Sequence, residues 1–177
     1  VNVVTKSGTN EFDGSLYYYR QDEDYFGNSA FDQFVDRAAF KEEEYGVTLG
    51  GPIIKDKLFF FGAYEKFEGA NIFGFTPNDV GLSDALYQSI IDIAVNQYGY
   101  TAGGLPTSLA VEDEKFFGKL DWNINNDHRA AFSYNYNDGF NFSPSDSGSN
   151  RLADGNHYYE RGAKLQNYSG ALYSDWT

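Results

Sequence analysis

A two-residue alternation of apolar and polar side chains constrains this chain more than any other feature. Over residues 116–124 the even positions hold Phe116, Gly118, Leu120, Trp122 and Ile124, and the odd ones Phe117, Lys119, Asp121 and Asn123. Over residues 129–137 the even positions hold Ala130, Phe132, Tyr134 and Tyr136, against Arg129, Ser133, Asn135 and Asn137. Side chains point to alternate faces of a strand, so each run predicts one apolar and one polar wall. Each run has about 9–11 residues, the length that crosses a bilayer when tilted. The intervening Asn125, Asn126 and Asp127 predict a tight hairpin turn.

Four more stretches fit the same template. Phe12, Gly14, Leu16 and Tyr18 share one face of a first strand, and Tyr45, Val47 and Leu49 share one face of a second. Leu58, Phe60, Gly62 and Tyr64 do so in a third, where Phe59 and Phe61 add apolar character to the opposite side. Tyr168, Gly170, Leu172 and Trp176 share a face of the last strand, placed within residues 163–176. The connections then run about 22 residues (21–42), about 7 (51–57), about 44 (68–111), about 3 (125–127) and about 24 (138–161). Long and short alternate throughout. Outer-membrane barrels have long external loops and short periplasmic turns, whereas a soluble sandwich has no reason to gather its long loops at one end. The expected fold is therefore all-β, about six strands of an antiparallel transmembrane β-barrel forming an incomplete, curved sheet.

Composition agrees where it bears on this. Aromatic residues make up 19% of the chain, with Tyr 15, Phe 16, Gly 19 and only Pro 4, a strand-and-turn composition. A mean hydropathy of -0.54 fits a barrel, in which only alternate residues face lipid. The formal net charge of -13 argues against a nucleic-acid partner, because phosphates need a basic face. With Cys 0, disulfides, thiolate metal sites and cysteine nucleophiles are excluded. Met 0 and an opening Val1 predict a piece of a longer polypeptide, and the opening residues carry no leader pattern.

One helix interrupts the strand pattern. Ser83 is its predicted N-cap, Leu86, Ile90, Ile93 and Ala94 form an apolar stripe, and Gly99 ends it. It falls in the longest external loop and is expected to pack on the barrel rim. Trp122 and Trp176 fall near the short-turn ends of their strands, and Tyr134 and Tyr136 are assigned to the opposite end, as interfacial girdles require.

With the strands placed, three stretches resemble a known family. Residues 1–15 (VNVVTKSGTNEFDGS) look like the end of a TonB-dependent receptor plug running into the first barrel strand. Residues 45–61 (YGVTLGGPIIKDKLFFF) resemble the second and third strands of its Oar-like subgroup, and residues 119–125 with His128 and Arg129 resemble the following hairpin. The resemblance implies a 22-stranded barrel filled by an N-terminal plug, in the outer membrane of a Gram-negative bacterium. It implies energised import of a scarce nutrient with no enzymatic activity. It assigns residues 1–10 to the end of the plug and 11–177 to the N-terminal part of the barrel. The first strand then runs outward, leaving 51–57 and 125–127 in the periplasm. The segment that contacts the TonB complex belongs upstream, outside this sequence. Beside that reading, Gly50, Gly51 and Pro52 suit a strand end, Lys55, Asp56 and Lys57 a charged turn, and residues 7–10 a change of direction from plug to wall.

Candidate functional residues follow from the walls. Lys119, Asp121, Asn123 and Arg129, with Ser133, Asn135 and Asn137, are expected to line the lumen and to contact the plug, water or substrate. Tyr25, Phe26, Phe31 and Phe34, with Tyr158 and Tyr159, are external aromatics able to stack on a sugar or peptide or to cap the plug. Between residues 21 and 44, eight acidic side chains (Asp22, Glu23, Asp24, Asp32, Asp36, Glu42, Glu43 and Glu44) face only Arg37 and Lys41. No EF-hand spacing with its central glycine is present, so a solvated acidic loop that binds divalent ions loosely and bridges lipopolysaccharide phosphates is expected. The two histidines, His128 and His157, fall at opposite ends of the barrel, and no nucleophile-elbow, phosphate-loop or zinc-protease pattern occurs. No cofactor or metal is expected; the partners expected are outer-membrane lipid, lipopolysaccharide and an undefined small-molecule, sugar or peptide substrate. Two other readings compete: a surface or adhesive barrel that transports nothing, and a soluble β-sandwich carbohydrate-binding module.

Overall fold

The structure is a computed structural model that describes residues 5–25, 27, 29–30, 33–34, 40–73, 76–144 and 155–174. Six strands form one antiparallel sheet: β1 (Asp13–Asp22), β4 (Lys41–Ile54), β5 (Leu58–Ile72), β6 (Ser108–Asn123), β7 (His128–Pro144) and β8 (Tyr158–Ser174), each paired with the next. A two-residue hairpin, β2 (Ser29–Ala30) with β3 (Gln33–Phe34), lies in the first long connection. Strand order follows chain order and β1 does not pair with β8, so the sheet is open. This is part of a barrel wall.

Register brings the alternating walls together. Along one face the pairing runs Leu16, Val47, Tyr64, Phe116, Tyr136 and Gln166. Four residues nearer the short turns, Gly51, Phe60, Leu120, Phe132 and Gly170 align in the same way. These apolar side chains stay open to their surroundings: Leu16 is 81% exposed and Leu172 70%. Among the described residues only Phe61 and Ala102 are buried hydrophobics. A sandwich would cover this face with a second sheet; here no layer among the described residues does, and lipid is the solvent that suits it.

The strands exceed the membrane. β4 to β8 have 14, 15, 16, 17 and 17 residues, well beyond the length needed to cross. The excess lies toward the long loops, so the connections there shrink to residues 73–107 and 145–157. Where the apolar belt stops, the lipid-facing wall changes to Lys66, Glu114, Asp138 and Lys164 in successive register. The belt between that row and the short turns is about eight residues tall, roughly 27 Å along the strands. At a tilt near 40° that is about 20 Å of membrane thickness, close to the usual band. Tyrosines link the two zones: the Tyr64 hydroxyl donates to Glu114 Oε1 at 2.7 Å, and Tyr136 to Asp138 Oδ2 at 3.1 Å. Rings in the belt with hydroxyls reaching the charged row are what an interface selects. Tyr134 and Tyr136 thus sit mid-strand, not at the strand end expected, because β7 continues well past the interface. Trp122 is one residue from the end of β6, as expected; Trp176 lies outside the described residues.

The short turns are tighter than the sequence suggested. Pro52 does not end a strand: β4 runs on to Ile54, with Pro52 opposite Phe59 and a register shift between Pro52 and Ile54. An irregularity of that kind is where a ladder tolerates a missing N–H. Only Lys55–Lys57 remain as turn, with Asp56 at φ 62. At the other turn, Asn125 Oδ1 accepts from the backbone N–H of Asp127 at 2.9 Å and of His128 at 2.8 Å, an Asx turn that fixes the β6–β7 register.

α1 spans Asp84–Tyr98, with the Ser83 hydroxyl accepting from Leu86 N–H at 3.3 Å and Gly99 closing it at φ 65. Its boundaries match the sequence reading because caps are local. Its packing does not: Leu86, Ile90 and Ile93 are about half exposed, and α1 has no substantial packing against any strand. Ser83→Ala should therefore cost the helix about 1 kcal/mol. Faster amide exchange confined to residues 84–90 would show it.

Ahead of α1, a single turn at Pro77–Val80 is closed by Asp79, which accepts from both the N–H (2.7 Å) and the hydroxyl (2.9 Å) of Thr76. These donors hold the Asp79 carboxyl below its ordinary range. A depressed folded value contributes stability that is complete above the unfolded value, about 3.9, and is lost as pH falls through the folded one. Amide protection of Asp79 and Gly81 should drop over that acidic window, and Asp79→Asn should remove the pH dependence.

Candidate polar wall and the segment that crosses it

Opposite the lipid-facing side lies a polar face. Strand pairing places Lys119 beside Ser133, Phe117 beside Asn135, Lys115 beside Asn137 and Asn123 beside Arg129, with Asp121 one step along. All seven residues expected to line the lumen therefore share one wall. Three of them lie toward the short turns, where β6 and β7 meet: Asp121, Asn123 and Arg129, with Trp122, Ala130, Ala131 and Tyr173, line a pocket of about 300 Å³. One carboxylate oxygen there, Asp121 Oδ2, is buried without a hydrogen-bond partner, while Oδ1 lies 3.3 Å from Lys119 Nζ.

The polypeptide before β1 crosses this wall. Lys119 Nζ donates to Ser7 Oγ at 2.6 Å, and Lys6 Nζ lies 5.6 Å from the centre of the Phe61 ring. Gly8 sits directly over Gly50, its Cα 3.6 Å from where a Gly50 Cβ would be. At the turn between β4 and β5, Asn10 Nδ2 donates to Asp56 Oδ1 at 2.6 Å and Asp56 N–H donates to Asn10 Oδ1 at 2.8 Å. This reciprocal pair suits a turn residue held at positive φ. Phe61, 7% exposed, is covered by this segment and by the Phe117 ring at 6.2 Å.

Further out on the same wall is a network the sequence reading did not single out. Tyr17 donates its hydroxyl to Glu65 Oε2 at 2.7 Å and Glu44 Oε1 at 3.2 Å. Lys115 bridges Glu65 and Asp113, each at 2.8 Å. The Tyr17 ring lies across Gly46, where a Cβ would come within 2.5 Å of it. The available signal was the odd-numbered row of β6: carried back from Lys119 through Phe117, it reaches Lys115 and Asp113.

The external aromatics are not brought together. Tyr25 ends a single turn after β1 and is 66% exposed. Tyr158 and Tyr159 begin β8 at the far edge of the sheet, five strand spacings or about 24 Å away. Tyr158 packs edge-on against Phe73 at 4.9 Å, and Tyr159 carries the Arg161 guanidinium at 5.2 Å. Phe26, Phe31 and the Phe34 side chain lie outside the described residues, as do Asp32 and Asp36. Among the described residues no group of three or more His, Asp or Glu side chains is arranged to hold a metal. Asp22 is instead occupied by Arg20 (2.8 Å), and Glu23 by the Phe40 N–H (3.0 Å).

An open antiparallel sheet with a lipid-facing belt, interfacial tyrosines and long loops at one end defines an outer-membrane β-barrel. Residues 4–76 match the family described as outer membrane beta barrel domain. The chain is 28% identical over 163 residues to the TonB-dependent transporter Oar of Myxococcus xanthus, a match covering 76% of this chain and 13% of that protein. No solved structure matches it. These likenesses support a TonB-dependent receptor-like protein of the Gram-negative outer membrane. Its relatives are a transporter and a barrel family, not enzymes.

Proposed function

We propose that this chain forms the first strands of the wall of an active-transport receptor that imports a scarce nutrient into the periplasm, with residues 1–10 as the end of its plug. The observation that carries this reading is the crossing segment. A barrel that only displayed loops would have no use for a polypeptide pinned across its polar wall by Lys119, Gly50 and Asp56 before entering β1. The name of the relative supports energy coupling through TonB, by a segment outside this sequence. Lipid and lipopolysaccharide are proposed as partners of the belt and of the charged row above it. The nutrient is proposed as a small molecule, sugar or peptide too large or too dilute for passive entry.

Deleting the whole gene in its host and measuring uptake of siderophores, vitamins, oligosaccharides and peptides tests this. Loss of uptake of one class, reproduced in the wild type by a protonophore, is the expected result. Unchanged uptake in the deletion strain across the panel under nutrient limitation, with the loops detectable at the surface of the wild type, would favour the display barrel.

A further inference from the structure

We infer that the polar face of β6, β7 and β8, at their long-loop end, carries a site for a short zwitterionic peptide whose amino end meets Asp113 and whose carboxylate meets Arg161. The inference rests on the proposed receptor reading and names a substrate class for it.

Asp113, Gly139 and Ala163 stand side by side across the three strands, and Val111, Asn141 and Arg161 form the next row toward the long loops. Together they line a shallow pocket of about 420 Å³. It lies just beyond the level of Glu114 and Asp138, where the lipid belt has ended, so a solute reaches it from the long-loop end. Its floor is low, because Gly139 has no side chain and a Cβ there would come 3.2 Å from Asp113 Oδ1.

Three polar groups on these rows have bonding capacity left over. Asp113 Oδ2 lies 2.8 Å from Lys115 Nζ, while Oδ1 is covered and has no hydrogen-bond partner. The Asp113 side chain is still 33% exposed, so a donor can reach the carboxylate. Arg161 has no acidic partner among the described residues, and its guanidinium lies 5.2 Å from the centre of the Tyr159 ring. Asn141, paired with Arg161, makes no side-chain hydrogen bond among the described residues.

Sign and spacing select the ligand. An orphaned carboxylate oxygen calls for a donor, and a guanidinium fork calls for a carboxylate. A neutral sugar brings no anion to Arg161, and a polyanion would be repelled by Asp113 and by Glu65 on the same wall. A zwitterion matches both ends. Two strand spacings and two residues separate Asp113 from Arg161, about 12 Å between Cα positions. An extended peptide advances about 3.5 Å per residue, so about three residues set an ammonium and a carboxylate roughly 10 Å apart, within reach of both side chains. Asn141, between the two, offers a peptide group both a donor and an acceptor.

The test is equilibrium dialysis of the full-length receptor in detergent against trialanine, acetyl-trialanine, trialanine amide and maltotriose. Trialanine should be retained saturably, and Arg161→Gln and Asp113→Asn should each weaken its retention about tenfold. Trialanine amide should bind the wild type as weakly as trialanine binds Arg161→Gln, and should not respond to that substitution. Acetyl-trialanine should behave in the same way toward Asp113→Asn. The derivatives probe the unaltered receptor, so a variant that misfolds does not decide the outcome. No saturable retention of trialanine, retention indifferent to both end charges, or tighter retention of maltotriose overturns the inference. The two readings fail separately. Energy-dependent uptake of another class without trialanine retention overturns the peptide site alone, and retention by a receptor that takes up nothing overturns import alone.

Discussion

Leu120→Arg is expected to destabilise the membrane-inserted barrel by about 2–4 kcal/mol, whereas Gln166→Arg on the same face should cost about 0–1 kcal/mol. Both residues belong to the lipid-facing register, Leu120 between Phe60 and Phe132, and Gln166 beside Tyr136. They differ in depth. Leu120 lies near the middle of the belt, where a guanidinium meets hydrocarbon and must distort the bilayer or drag water in. Gln166 lies one step below Lys164, so a long basic side chain there can reach the charged row. Unfolding free energies of the full-length barrel in phospholipid vesicles would report the difference. Equal costs would mean that the belt is not at the depth the register gives it.

How much of this was legible depends on what each feature answers to. The two walls were readable because each meets one uniform environment along several residues, so Phe116, Leu120 and Trp122 repeat without exception. The hairpin at Asn125 and the caps at Ser83 and Gly99 were readable because their chemistry is local. Strand ends were not. Above the interface both faces meet water or protein, nothing enforces alternation, and the outer part of β5 (Glu65, Lys66, Phe67, Glu68) shows none. Pro52 misled for a related reason: a proline usually stops a strand, and only the register shift beside it reveals why this one does not. The network joining Tyr17, Glu65 and Lys115 needs the pairing of three strands, which no single run encodes. The helix stripe was legible as a stripe, but its exposure is a property of the surroundings.

Gly8→Val should lift the crossing segment off the wall. A Cβ at Gly8 would fall 2.9 Å from the Gly51 carbonyl oxygen and nearer still to that of Phe60. Both are backbone atoms within the β4–β5 ladder, so neither can yield as a side-chain tip would. Overpacking of this kind costs about 1–3 kcal/mol and sometimes more. If that strain is relieved by local opening, the open population rises about 5- to 30-fold for 1–2 kcal/mol. The Lys119–Ser7 hydrogen bond and the cover over Phe61 are lost in the open form, exposing residues 5–12 to protease from the periplasmic side. The expected readout is faster cleavage there in intact receptor, without loss of the barrel itself. Thr9→Val, at an exposed neighbour whose hydroxyl bonds only within the segment, should leave the rate near that of the wild type. Gly50→Val approaches the same contact from the wall, since its Cβ would meet the Phe61 ring at 3.0 Å and the Gly8 Cα at 3.6 Å. Two substitutions that break one close approach should not add: once either has opened the segment, the other meets space. Full additivity of the two rates would instead mean that Gly8 and Gly50 are small for separate reasons, and that the polypeptide before β1 is held by its Asn10–Asp56 pair alone.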